Sequence, residues 1–369
     1  MLMHKEYGQP LVGAVDPVLE PLGRVTEREG LEGLTQKLSE LRAWLANDLS
    51  TFEAAIIHLE GVLDDAPAMD PKLRVGRAAD HLLRLPGKRI RPICVLLAAR
   101  MGLREMDKDV RQVALACELV HAATLLHDDV IDDSLERRGA PASRILYGNS
   151  ASILAGDYLL VLALRLVQDA DNGILLPDLL RVMTRIVAAE ALQLERRGRF
   201  DPDPAIYQQV VRGKTAALFD WGLRAGATLG GLSQDVQATL GDVGMHLGLA
   251  FQLVDDILDV EGDPHVTGKE TLQDLREGKL TWPIILASEA SPALKAEFVE
   301  LAASHSHTAV AERAADVIAK VRATGALAES RAYALKEAQA ACLRITDLPP
   351  GRARDALTLI VQSAVHRMN

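Results

Sequence analysis

Two aspartate-rich strings of one pattern stand about 130 residues apart, His127-Asp128-Asp129-Val130-Ile131-Asp132 and Gln252-Leu253-Val254-Asp255-Asp256-Ile257-Leu258-Asp259. Each lies inside an otherwise apolar stretch of helical period. Residues four apart share a helix face, so Asp128 and Asp132 form a claw with Asp129 beside them, and Asp255, Asp256 and Asp259 repeat it. Aspartate is a poor helix former, and like charges on one face repel. A solvated acidic face would explain one such string. It is a poor account of two that are flanked by Leu, Val and Ile. The fold must instead bring both claws to one cavity, where six carboxylates need a compensating charge. A divalent cation supplies it, and hard oxygen donors without Cys or clustered His point to Mg2+, which bridges carboxylates to substrate phosphates.

Counter-charges sit in two turns. Leu85-Pro86-Gly87-Lys88-Arg89-Ile90-Arg91-Pro92 places three cations between a turn and a proline-started helix, and Glu136-Arg137-Arg138-Gly139 directly follows the first claw. Arginine forks match phosphate oxygens and lysine serves as a point charge, so basic turns beside the claws suggest a diphosphate. Either run taken alone also reads as a solvated basic surface. His121 alone reads as a core histidine, but it stands two turns before Asp128 on the same face, which turns it toward the cavity.

Five motifs in this order, Gly87 to Pro92, His121 to Asp132 with Glu136 to Gly139, Gly213-Lys214-Thr215-Ala216-Ala217-Leu218-Phe219, Phe251 to Asp259, and Thr267-Gly268-Lys269, resemble the trans-prenyltransferase family. These are the isoprenyl diphosphate synthases, or polyprenyl synthetases, and the match spans roughly residues 80–285. The resemblance implies an all-α, large single-domain helical bundle around a central cavity, the isoprenoid synthase fold. It implies a Mg2+-dependent homodimer that condenses an allylic prenyl diphosphate with isopentenyl diphosphate. By resemblance, Asp128, Asp129, Asp132, Asp255, Asp256 and Asp259 bind the metal. Lys88, Arg91, His121 and Arg138 match the isopentenyl diphosphate ligands, with Arg89 joining the basic turn less firmly. Arg137, Lys214, Thr215, Gln252 and Lys269 match the allylic side, and Lys214 and Lys269 join the aspartates in the chemistry. Two departures touch only loop shape: Pro86-Gly87 replaces the usual two glycines, and Glu270 to Asp274 replaces the usual Pro and Gly after Lys269.

The implied reaction ionises the allylic diphosphate to a delocalised carbocation, which the double bond of isopentenyl diphosphate attacks. Proton loss to the released diphosphate restores an alkene. A terpene cyclase needs no second basic site, so Lys88, Arg91 and Arg138 argue against it. A non-catalytic partner subunit would be expected to have lost acids from one claw, and a purely structural bundle leaves both claws unexplained.

Product length follows from the helix before Asp128. Thr124 or Ala123, then Val120, then Cys117 and Ala116 face the same way at successive turns of about 5.4 Å, and none is aromatic. Small residues there leave a deep channel, and by resemblance accompany products longer than geranylgeranyl, such as those for quinone side chains. The competing reading is close packing against a neighbouring helix, and Ile186 and Met183 before Glu190 offer another floor.

The rest of the chain agrees. With 49% hydrophobic and only 4% aromatic residues it can bury a large helical core, and strand patterning is nearly absent. A net charge of −10 argues against nucleic acid. Cys94, Cys117 and Cys342 have neither metal nor redox spacing, which fits free thiols in the cytoplasm. Asp157 interrupts the best apolar stretch, so no span is expected, and a lipid product would bring only peripheral membrane contact. Gly262 to Lys269 fails as a nucleotide loop because five residues separate its glycines, and His305-Ser306-His307 has no partner ligands. Residues 1–30 read as an irregular arm and residues 31–369 as the catalytic domain. Leu34, Leu38, Leu41 and Leu45 keep a helical period, and Ser50 with Glu53 reads as a capping box that starts a second helix. Beyond residue 285 come supporting helices, the last announced by Pro349-Pro350.

Overall fold

A computed structural model describes residues 32–59, 70, 72–170, 173–262, 271–303 and 307–365. The expected arm, Lys269 with Glu270, and the side chains of His305 to His307 lie outside the described residues. The helices are α1 (Glu32–Ile57), α2 (Arg74–Arg84), α3 (Ile90–Met101), α4 (Lys108–Ile131), α5 (Ser143–Tyr147), α6 (Asn149–Ala170), α7 (Leu175–Arg196), α8 (Pro204–Val211), α9 (Ala217–Leu229), α10 (Gln234–Glu261), α11 (Gln273–Arg276), α12 (Trp282–Ala290), α13 (Pro292–Ala303), α14 (His307–Ala323), α15 (Ala326–Ile345) and α16 (Arg352–Val365). A π-helical turn, Arg212–Ala216, joins α8 to α9. Among the described residues the one sheet is the ribbon of β1 (Glu136–Arg137) and β2 (Ala140–Pro141).

The two claw helices start in the same way. Asp107 caps α4 by accepting from the Val110 N–H at 3.0 Å, and Ser233 caps α10 by accepting from Val236 at 3.4 Å. Both then run on apolar faces for six or more turns to a claw at the C-terminal end. Helix α4 buries its apolar face with α6, α7 and α9, whereas α10 buries its own with α3, α9, α15 and α16. Helix α9 therefore lies between them and fixes their separation. It comes close to α10 because Gly244 has no side chain: a Cβ there would stand 2.6 Å from the Phe219 carbonyl carbon and oxygen.

Two expectations are corrected. The capping box at Ser50 and Glu53 starts nothing, because α1 runs unbroken through it; the Ser50 hydroxyl donates to the Asn47 carbonyl and Glu53 accepts from Arg89. A tertiary ion pair has overridden a local cap signal. Asp157 likewise does not disqualify α6, which is long and apolar enough to cross a membrane. Half of its most apolar window is buried inside the protein, however, and Ala155, Leu159, Leu162, Ala163 and Leu166 pack on α4 and its neighbours. The free thiols are as expected.

Gly244→Ala should cost on the order of 1–3 kcal/mol, because backbone rather than a flexible side chain obstructs the new methyl. Urea unfolding followed by circular dichroism reads this, and an unchanged midpoint would show that α9 and α10 separate without penalty.

Candidate active site

Both claws end their helices at the electrically unfavourable terminus. The helix dipole places partial negative charge at a C-terminus, and neither α4 nor α10 has a basic residue in its last turn. Compensation comes from elsewhere in the chain. Arg137 on the ribbon grips Asp129 through Nε at 2.9 Å and through Nη2. Lys214 lies 3.3 Å from Asp128 and pairs with Glu190, while Lys279 donates to Asp132 and, at 2.8 Å, to Glu277. Burial disfavours both ammonium groups, but Asp128 and Glu190 for Lys214, and Glu277 and Asp132 for Lys279, outweigh it and raise their pKa values. A divalent cation is therefore not the only answer to charge at the first claw; the sequence argument is corrected on that point.

The six aspartates divide by what holds their oxygens. Asp129 and Asp256 are almost wholly buried. Asp256 accepts from the Tyr207 hydroxyl at 2.7 Å, the Trp282 backbone N–H at 2.9 Å and Gln252 Nε2 at 2.9 Å. Burial, with the charge of Asp274 behind it, pushes its carboxyl up to about 7. Burial also pushes Asp129 up, against the pull of Arg137. Asp259 caps α11, its Oδ1 accepting from the N–H groups of Gln273 at 2.9 Å and Asp274 at 3.2 Å. Asp128 and Asp255 are half-buried and the Asp132 side chain is nearly buried, the two first-claw residues turned toward lysines and Asp255 close enough to support the charge on Arg91.

The π-turn accounts for the next motif. A wider turn of this kind often marks a functional site, and here it sends neighbouring side chains to opposite claws. Lys214 reaches Gln193 at 3.0 Å as well as Asp128 and Glu190. Thr215 donates at 2.8 Å to Gln252, which in turn donates to Asp256. Thr215 and Gln252 thus brace the second claw from behind.

The basic turn is assembled around Gly87. A Cβ there would lie 2.7 Å from Arg138 Nη1, so this glycine makes room for the guanidinium, while exposed Pro86 replaces its usual companion without obstruction. Arg138 itself sits with Gly139 at the tip of the ribbon, both with positive φ (54° and 75°), the geometry of a tight type I′ turn. Arg91 stacks over the Phe219 ring at 4.4 Å with its Nε buried and unpartnered. Lys88 lies over Phe251 at 5.5 Å. Burial, together with Arg91 and Arg138, drives the His121 pKa well down, which makes it a neutral imidazole among guanidiniums. Arg89 is the exception. Its side chain is buried in an internal cluster, donating to Glu53 at 3.1 Å, Glu118 at 2.5 Å and the Leu83 carbonyl at 2.8 Å, so its charge is spent on building the turn.

These observations test whether the residues suit a cation and an anion. Buried Asp129 Oδ2 has no partner, and neither has Arg91 Nε, an oxygen lacking a donor and a donor lacking an acceptor. Among the described residues no three acids or histidines are drawn together as a cage. Each claw instead contributes one or two accessible carboxylates, the number a hard cation takes when it also binds phosphate oxygens. Sequence reasoning missed Lys279, Glu277, Arg197, Gln193, Tyr207 and Glu118, and used Glu190 only to locate a floor. An isolated acid in an apolar helix, as at Glu118 and Glu190, was the one available signal. Of the chain-length residues, Ala116, Cys117, Val120 and Ala123 are fully buried, with Cys117 beside Gly222 of α9. Thr124 is half-buried and its hydroxyl donates to the His121 carbonyl.

Gly87→Ala should leave helix content and thermal midpoint near the parent, since only a flexible side chain must move, yet weaken pyrophosphate binding several-fold by displacing Arg138. Calorimetric titration with pyrophosphate checks this; parent affinity in a folded variant would show that Arg138 does not need that position.

Comparison with known proteins agrees with this geometry. The family model described as polyprenyl synthetase matches residues 73–319. The all-trans-nonaprenyl-diphosphate synthase (geranyl-diphosphate specific) of Rhodobacter capsulatus is 34% identical, the alignment covering 84% of this chain and 97% of that protein. The geranylfarnesyl diphosphate synthase of Aeropyrum pernix is also 34% identical, over 80% of this chain and 95% of its own. Among solved structures, the polyprenyl synthase of Caulobacter crescentus, complexed with calcium and isoprenyl diphosphate, superposes with a TM-score of 0.78 at 30% identity, covering 95% of this chain and 98% of that one. Two claws on helix ends, a basic turn and this breadth of likeness lead to one conclusion: the chain belongs to the polyprenyl synthetase family, and it is an all-α prenyltransferase that makes prenyl diphosphates.

Proposed function

We propose that this enzyme is a Mg2+-dependent trans-prenyltransferase that adds isopentenyl diphosphate repeatedly to an allylic primer, giving a medium- or long-chain polyprenyl diphosphate of the kind used for quinone side chains. The observation that carries the reading is the pairing of two acid claws with a separate basic turn whose Arg91 Nε is buried and unpartnered. Two diphosphates need two sites, and a cyclase needs one.

In this reading Asp128, Asp132 and Asp255, with the unpartnered Oδ2 of Asp129, would hold the metal, and Asp256 and Asp259 set their position. Bound Mg2+ would neutralise charge developing on the leaving diphosphate. Lys214 and Arg137, with Lys269, meet the same diphosphate and stabilise that charge as the allylic C–O bond breaks. Lys88, Arg91, His121 and Arg138 hold isopentenyl diphosphate with its double bond toward the allylic carbon. A new C–C bond forms there, and the departing diphosphate takes the proton whose loss restores the alkene. His121, its pKa driven down by burial and by its cationic neighbours, donates a hydrogen bond rather than a charge. The same reading treats residues 31–369 as one catalytic domain, working as a homodimer in the cytoplasm, with peripheral contact where a lipid product leaves.

The claws are tested first. Asp128→Ala or Asp255→Ala should lower turnover by at least about a hundredfold, the scale of losing a group that stabilises transition-state charge, with circular dichroism unchanged. Chelation by EDTA should abolish activity until Mg2+ is restored. Undiminished turnover of either variant in excess chelator would end the metal reading.

Product length is read from α4. The relatives named above make products of different lengths; the small size of Ala116, Cys117, Val120 and Ala123 supports a long one here, while their burial in the core, with Cys117 against Gly222 of α9, is what the close-packing alternative expects. Ala123→Phe should shorten the main product while condensation continues, as chromatography of the dephosphorylated products would show. The same product distribution from a folded, active variant would place the growing tail elsewhere, with Met183 and Ile186 of α7 as the alternative wall.

A further inference from the structure

One cation at the first claw belongs to no motif that the sequence singled out. Lys279 Nζ lies 2.5 Å from Asp132 Oδ2 and 2.8 Å from Glu277 Oε2, and all three side chains are at most 12% exposed. Its backbone is pinned on both sides. The Gly198 N–H donates to the Gly278 carbonyl at 2.9 Å, Arg197 Nε donates to the Glu277 carbonyl at 2.6 Å, and the Lys279 N–H donates to the Asp274 carbonyl at 2.8 Å. Arg197 also approaches Asp132 itself, at 3.4 Å. The loop cannot drift, so only the lysine stem can move. Its ammonium meanwhile occupies one of the carboxylates that a cation at the first claw would use under the proposed reading.

We propose that Lys279 competes with the metal for Asp132, and that a divalent cation which claims this carboxylate frees the Lys279 ammonium to meet the diphosphate. This rests on the metal reading of the claws. Two cations on one carboxylate oxygen repel strongly in a half-buried site. Lysine, a compact charge on a flexible stem, can turn aside where the guanidinium fork of Arg137 stays locked on Asp129. Glu277 is the second anchor. When Asp132 is taken, Glu277 still holds the ammonium, so the displaced charge is neither buried alone nor lost from the site. Lys214 faces the same claw with the same kind of tether, Glu190, which leaves two restrained ammonium groups beside the space where the diphosphate binds. The structure thus stores positive charge on the acids that later take the metal.

A mere brace and a competitor predict opposite signs. If Lys279 only positions Asp132, Lys279→Gln weakens metal binding; if it competes, the same change strengthens it. Titrating manganese into the substrate-free protein should show Lys279→Gln binding the ion at least about fivefold more tightly than the parent, with Lys279→Arg binding it more weakly than the parent because the arginine fork yields Asp132 less readily. In saturating manganese, inorganic pyrophosphate should bind Lys279→Gln about tenfold or more weakly, since one charged contact is missing. Equal or weaker manganese binding by Lys279→Gln would overturn the proposal. If the glutamine variant does not fold, acetylation of the parent decides, read by mass spectrometry at Lys279: protected without metal, reactive with manganese, protected again with manganese and pyrophosphate. Reactivity that does not rise with manganese would equally overturn it. Failure of the parent to bind manganese, with or without pyrophosphate, would remove the metal reading itself, whereas tight parent binding unchanged in Lys279→Gln would remove only the role of Lys279.

Discussion

Carboxylates at the C-terminal ends of two buried helices are the constraint around which this protein is built. The helix dipole disfavours them there, their mutual repulsion adds to it, and burial of Asp129 and Asp256 adds more. Each surrounding feature answers part of that problem. The ribbon supplies Arg137, the π-turn supplies Lys214, and the loop before α12 supplies Lys279. The second claw is handled differently. Its buried member Asp256 is met by neutral donors, Tyr207, Gln252 and a backbone N–H, while burial and the nearby Asp274 push its carboxyl up against those hydrogen bonds. The first claw is therefore balanced largely by charge, and the buried member of the second by neutral hydrogen bonds.

That asymmetry has a chemical use. At the first claw, every carboxylate already has a protein cation, and substrate binding becomes an exchange of partners rather than a filling of empty space. Under the proposed metal reading, an anion arriving with a divalent cation would suit such a site, because Asp128 and Asp132 would turn to the cation while the Lys214 and Lys279 ammonium groups meet the anion. Affinity for the pair together then exceeds what either achieves alone.

Much of this was legible in the sequence, for a physical reason. The claws, Lys88, Arg91, His121, Arg138 and the Lys214-Thr215 pair lie in short local motifs, and helical period alone places Asp128 beside Asp132. What escaped was non-local. Lys279 meets Asp132 across 147 residues, and no spacing rule connects them. The π-turn reads as ordinary helix, because nothing in Arg212 to Ala216 distinguishes a five-residue hydrogen-bond step from a four-residue one. Ser50 with Glu53 shows the reverse failure. The local cap pattern was sound, but Arg89, buried and in need of an anion, claimed Glu53, and the apolar faces of α1 carried the helix straight on.

Arg89 also shows why charge type alone does not locate a binding site. Three cations within four positions look equivalent in sequence, yet Arg89 meets two carboxylates inside the protein, whereas Lys88 and Arg91 lie against aromatic rings. An aromatic face stabilises a cation without using up its N–H donors, and Arg91 Nε, buried beside Phe219, has no acceptor within the protein. A carboxylate partner would satisfy them. The rings of Phe219 and Phe251 therefore do for the basic turn what Glu277 does for Lys279: each holds a positive charge in a poorly solvated place while keeping it available to an anion that has yet to arrive.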